Sequence, residues 1–249
     1  MAMTGGRARW FPLLESVVVP RGLRVPPRPP KDGWMSDMEA QPISSPSVGR
    51  RTPNLIVSTV GVILLAANMR ASLTPVGPLI ADLQRDLHLS HTGAGLLTTM
   101  PLLAFGLISP LAAPLARRWG IERVLFVMLW VLLLGQLIRP LGTVTALFTG
   151  TLVIGAAVAI TNVLMPALVK GRFQQRLGLM TGVYTVFMNL MAALATGFSI
   201  PLARQWGLGW QGSLRFWALL TVLGLIAWFP QLRAPATAAA LPGQPAGGK

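Results

Sequence analysis

The sequence has no cysteine in its 249 residues, which excludes a disulfide framework and any metal site built on thiolates. Histidine is almost as scarce. The two present, His88 and His91, share one short link; their pairing alone makes no metal site, and no H-E-x-x-H run occurs. Acidic residues number seven against 21 basic ones, for a net charge of +14. Charge of either sign is thin: 11% of residues carry it, where a soluble domain would have about 25%. What is left is apolar, 53% of the chain, with a mean hydropathy of +0.60. These absences leave an integral membrane protein.

The positive charge does not point to nucleic acid. The basic residues are not gathered on one amphipathic face but fall at the ends of apolar segments, as the positive-inside rule expects. The expected partner is membrane lipid, with no nucleic acid.

Residues 1–50 are rich in Pro and Arg (RGLRVPPRPPKDG) and show no sustained periodicity, so their composition predicts a disordered tail. A signal peptide is disfavoured, because Pro12 and Glu15 interrupt the apolar part and no small-residue cleavage site follows. Met35 and Met38 are alternative start sites. A membrane domain is expected over 51–233, and a flexible Pro/Ala/Gly tail over 234–249.

Within the membrane domain the stretch Asn54–Ile80 sets the theme. It is long enough for a bilayer crossing, which takes about 20 residues, yet it carries one charge, Arg70. Arg70 lies roughly 24 Å of helix beyond Asn54, inside or near the far edge of the hydrocarbon. An arginine there is costly unless it faces the bundle interior. Pro75 and Pro78 follow, and each removes a helix hydrogen bond, freeing the carbonyls of Ala71 and Thr74. Arg70, Asn68, Thr74 and loosened backbone together read as a solute-binding wall.

Five further apolar segments are expected at Thr92–Ala116, about Val124–Ile138, about Val144–Val169, Leu177–Ala203 and Phe216–Leu232. Arg139, at a helix end, is expected to snorkel to the interface, and Trp217 and Trp228 to bracket the last segment as interfacial aromatics. Arg117–Arg123 and Lys170–Arg176 share one side with Arg50, Arg51 and Arg233. The opposite loops offset Arg85 with Asp82 and Asp86, then add Arg204 and Arg215. Both termini are therefore expected in the cytoplasm, with the protein in the plasma or inner membrane. Segments one and four each carry an Asn followed by a Pro, Asn68/Pro75 and Asn162/Pro166. Interrupted helices at corresponding positions point to a transporter's binding site.

Several motifs resemble the cyanate/2-nitroimidazole transporter branch of the major facilitator superfamily. They are ANMRASLTPVGPLI (67–80), GLLTTMP (95–101), LARRWGIERVL (115–125), NVLMPALVK (162–170) and GLMTGVY (178–184). The resemblance covers 54–233 and implies an all-α, six-helix amino-terminal half with a 3+3 repeat, taken from a twelve-helix carrier. It further implies alternating access, solute held near the midplane, and Arg70 in the place of the family's first-helix arginine. At the second-to-third turn the superfamily's Gly and acidic residue are replaced by Ala113 and Arg117, which weakens the usual gating contact there. No second half follows Arg233, so a second six-helix half or a homodimer is the expected partner.

The candidate solute-binding residues are Arg70, Asn68, Thr74, Asn162 and Tyr184. Two of them read two ways: Asn162 as ligand or interhelical glue, and Tyr184, the only tyrosine, as facing a cavity or a neighbouring helix. Lys170, Arg172 and Arg176 read as topology determinants. The expected function is secondary transport of a small polar or anionic solute such as a cyanate-like anion. A channel or scaffold would leave Arg70 as a structural charge. An intramembrane serine enzyme is a poor fit, since Gly197-Phe198-Ser199-Ile200 matches badly and no histidine follows His91. No enzymatic activity, metal or cofactor is expected.

Overall fold

Backbone inside hydrocarbon has only itself to hydrogen-bond to, and the long uncharged runs meet that demand as helices. The computed structural model describes residues 55–233; the tails over 1–50 and 234–249 lie outside them, as do the alternative start sites. The helices are α1 (Leu55–Ala71), α2 (Val76–Leu87), α3 (His91–Ile108), α4 (Ala112–Trp119) and α5 (Ile121–Ile138), then α6 (Val144–Arg172), α7 (Leu177–Ile200), α8 (Gly209–Phe216) and α9 (Ala218–Trp228). They make six spans long and apolar enough to cross a membrane: Ile56–Leu87, His91–Trp119, Ile121–Ile138, Val144–Arg172, Gln174–Gln205 and Gly209–Leu232. No strand occurs among the described residues, so they are all-α, as the resemblance implies.

Local chemistry sets the ends. Ser90 caps α3 by accepting from the Gly93 amide at 3.1 Å, and Thr143 caps α6 by accepting from the Ala146 amide at 3.2 Å. Gly120, at φ 84°, makes the sharp joint between α4 and α5 that a side chain would strain. The expected polar link from Asp82 is helical through Leu87, and the expected loop before the last span contains α8. In both, apolar residues spaced around the helix bury one face: Leu79 and Leu83 on α2 meet Trp210 and Leu214 on α8.

Tight packing centres on α6, which runs between α5 and α3. A Cβ at Gly150 would lie 2.6 Å from the Arg139 amide nitrogen, and one at Gly155 would lie 3.0 Å from the Ala104 Cβ. Lipid offers no hydrophobic drive for helix association, so such close approaches and interhelical hydrogen bonds carry it. The main core joins Val62 and Leu65 of α1, Leu125 and Leu129 of α5, Ile154 of α6 and Trp228 of α9.

Three expectations are corrected here. Arg139 does not snorkel: it is 1% exposed, its backbone pressed on Gly150. Trp217 and Trp228 are buried within the bundle, and the Trp228 indole donates to the Glu122 carbonyl at 3.0 Å. The matching interruption of segments one and four is also absent. Two prolines three residues apart break the first span between Ala71 and Val76, whereas α6 continues past the single, exposed Pro166.

Candidate solute-binding site

The break in the first span is where the candidate residues begin to gather. Pro75 has no amide hydrogen, so the chain turns through Ser72–Pro75 before α2 restarts. The Arg70 carbonyl takes up the turn, accepting from the Leu73 amide at 3.0 Å, the Thr74 amide at 3.1 Å and the Thr74 hydroxyl at 3.1 Å. The Asn68 carbonyl accepts from the Ser72 amide at 3.2 Å and from the Ser72 hydroxyl. The loosened backbone expected from the prolines is present, tied down by these shorter loops.

Arg70 lies in the last turn of α1, just before this break, and is exposed. Its guanidinium makes no hydrogen bond or ion pair among the described residues. Thr74, half-buried, reaches toward α7, with its hydroxyl 3.4 Å from the Ala192 carbonyl. Tyr184 lies further along α7, half-buried, with Met180 and Met188 one turn to either side, all packed on the main core. Asn162 is exposed on α6 next to exposed Val163, with no partner for its amide among the described residues. The structure thus joins Arg70 and Thr74 at one break, sets Tyr184 on the adjoining helix and leaves Asn162 on a third.

Asn68 stands apart from that wall. Its side chain is fully buried, and Nδ2 donates to the Leu64 carbonyl at 2.8 Å and the Leu220 carbonyl at 3.1 Å. Its Oδ1 accepts from the Thr221 hydroxyl at 2.6 Å, and Gly224 leaves the room it needs. In place of an open face, Asn68 bridges α1 to α9 immediately behind the break.

The family model of the Major Facilitator Superfamily matches residues 59–246. The chain belongs to the major facilitator superfamily. It is 46% identical over 173 residues to the uncharacterized transporter YycB of Bacillus subtilis (strain 168), covering 70% of this chain and 43% of that one. It is 43% identical over 180 residues to the 2-nitroimidazole transporter of Escherichia coli (strain K12), covering 72% of this chain and 46% of that protein. Against the cyanate transport protein CynX of the same organism, identity is 32% over 169 residues, covering 67% of this chain and 44% of that protein. These relatives match the cyanate/2-nitroimidazole branch. The chain spans less than half the length of each. With its six apolar spans, this facilitator chain is an integral membrane protein.

The facilitator bundle also holds a buried charge cluster that sequence reasoning missed. Arg172, read from the sequence as a topology determinant, is 5% exposed in its side chain and pairs with Glu122 at 3.3 Å. Its Nη1 donates to Ser58 Oγ at 3.2 Å and to Gln231 Oε1. Ends of the first, third, fourth and sixth spans meet in this cluster. One signal was available: Glu122 is the last acidic residue of the chain, set among arginines.

Proposed function

We propose that this chain forms one six-helix half of a secondary transporter that moves a small polar or anionic solute by alternating access, cyanate-like anions being one class. The observation that carries the reading is Arg70: exposed, without a partner among the described residues, and held at a proline-broken helix beside Thr74. A permanent planar cation on open polar backbone suits a carboxylate-like or linear anion or a strongly dipolar ring. Arg70 and Thr74 form the wall, Asn162 and Tyr184 extend it from neighbouring helices, and Asn68 holds its back. A structural bridge through Arg70 finds no support, since its guanidinium bridges nothing among the described residues.

The spans are unequally covered. In the second and fifth, 17% and 22% of the apolar window is buried, against 44–61% in the other four. Leu102, Leu103 and Leu107 on α3, and Leu179, Val186 and Leu190 on α7, face outward. Such faces suit lipid or a second six-helix half, supplied by a matching polypeptide or a second copy. A purified, mass-verified monomer is expected to show no transport, and uptake is expected to return with the second half or on dimerisation. Saturable uptake by the verified monomer would end the half-transporter reading. Uptake that never saturates, even with the second half present, would favour a channel.

In this reading both termini face the cytoplasm, and the protein sits in the plasma or inner membrane. The exposed cations Arg117, Arg118, Arg123 and Arg176 share one end of the bundle, while at the other Arg204 is paired with Asp82 at 2.9 Å. Cysteines introduced at the exposed Arg85 and Gln205 should react with an impermeant thiol reagent added to intact cells, and one at Gln174 should not. The reverse pattern would invert the topology.

A further inference from the structure

A second arginine presents a different problem. Arg139 closes α5 at the end of the bundle away from the Arg117–Arg123 turn, 1% exposed, and its Nε and Nη1 have no hydrogen-bond partner. One other buried donor nearby is also orphaned: Gln136 Nε2, one turn back on α5. Helices α5 and α9 are tied together here. The Thr221 hydroxyl lies 2.8 Å from Gln136 Oε1, and Arg215 Nη2 donates to the Pro140 carbonyl at 3.2 Å.

Part of the shortage resolves by proton counting. The Thr221 hydroxyl has one proton and lies 2.6 Å from Asn68 Oδ1, whose orientation is set by the two bonds from Nδ2. The proton goes to Asn68, so the Gln136 amide turns and its Nε2 donates to Thr221. That leaves the two orphan donor atoms of Arg139, and it leaves the charge untouched. A guanidinium stays protonated in proteins, and an unpaired buried charge costs several kcal/mol.

No carboxylate within the described residues answers it. On this end Asp82 pairs with Arg204 and Arg85, and Asp86 accepts from Trp210 at 2.8 Å. The other charge at the seam, Arg215, has the same sign. Arg139 cannot withdraw, because its backbone is pressed on Gly150. Water would satisfy the donors without neutralising the charge.

We propose that the seam between α5 and α9 binds a small monovalent inorganic anion of halide size, with Arg139 as its cation and Gln136 as a flanking residue. The site is separate from Arg70 and does not rest on the transport reading. It staples the third span to the sixth.

The test uses the purified chain in detergent, exchanged into sodium gluconate and titrated with sodium bromide at constant ionic strength. At saturating bromide the melting temperature should rise by about 5 °C, as ligand linkage gives for a chain of this size. Arg117→Gln, altering an exposed arginine at the other end, should keep the rise, and Arg139→Gln should abolish it. A rise shared by Arg139→Gln, or no rise in the wild type, overturns the proposal. Should Arg139→Gln not fold, wild-type crystals grown in bromide decide. An anomalous peak within about 3.5 Å of the Arg139 guanidinium upholds the site; peaks only elsewhere overturn it.

Discussion

Replacing Glu122 with alanine should destabilise the bundle by about 3–5 kcal/mol, the usual cost of removing one partner of a buried ion pair. The carboxylate is 6% exposed and 3.3 Å from Arg172 Nη2, so its removal leaves a guanidinium that water reaches poorly. Among the described residues Ser58 and Gln231 remain as acceptors for Nη1. Glu122→Gln keeps the volume and loses the charge, and should fall between wild type and alanine. The double variant Glu122→Leu, Arg172→Met should recover most of the loss, because the pair is then removed as a unit. Thermal unfolding in detergent across this set forms a double-mutant cycle. If Glu122→Ala melts within a degree of wild type, the cluster is not a buried pair in the membrane-embedded protein.

Arg70 calls for the opposite pattern: large effects on affinity and small ones on stability. Exposed and without a partner among the described residues, its guanidinium holds no other helix, so Arg70→Ala should insert and melt near normally. In the complete transporter, solute affinity should fall roughly 10- to 100-fold, the range for losing a charged hydrogen-bonded contact. Arg70→Lys keeps the charge and a similar reach but offers a point ammonium instead of a planar fork. A loss of roughly 10-fold is expected for it if the contact is bidentate. Affinity and melting temperature are measured on the same preparations. Stability falling while the surviving folded protein keeps its affinity would defeat the ligand assignment.

Asn68 gives the contrast that makes this pairing informative. It lies two residues from Arg70, yet all its amide atoms are engaged with Leu64, Leu220 and Thr221. From the sequence the two look like one polar wall. Neighbours two apart on a helix point to different sides, and which side is open depends on α9, far along the chain.

The sequence by itself determined the class, the number of spans and the position of the break in the first of them. Uncharged length is a local property, and so is a proline's missing donor, so both can be read without knowing any neighbour. It also carried the family, because ordered motifs survive in the one-dimensional text. Only the tertiary structure decided which polar residues are engaged and which are open. Arg70, Arg139 and Arg172 all stand within or beside apolar runs of the sequence. They differ because one faces no helix, one is pinned on Gly150 beside uncharged donors, and one meets the last carboxylate of the chain. Those fates depend on contacts between residues far apart in sequence, set by how helices approach at Gly150 and Gly155, and apolar periodicity within a single span does not encode them.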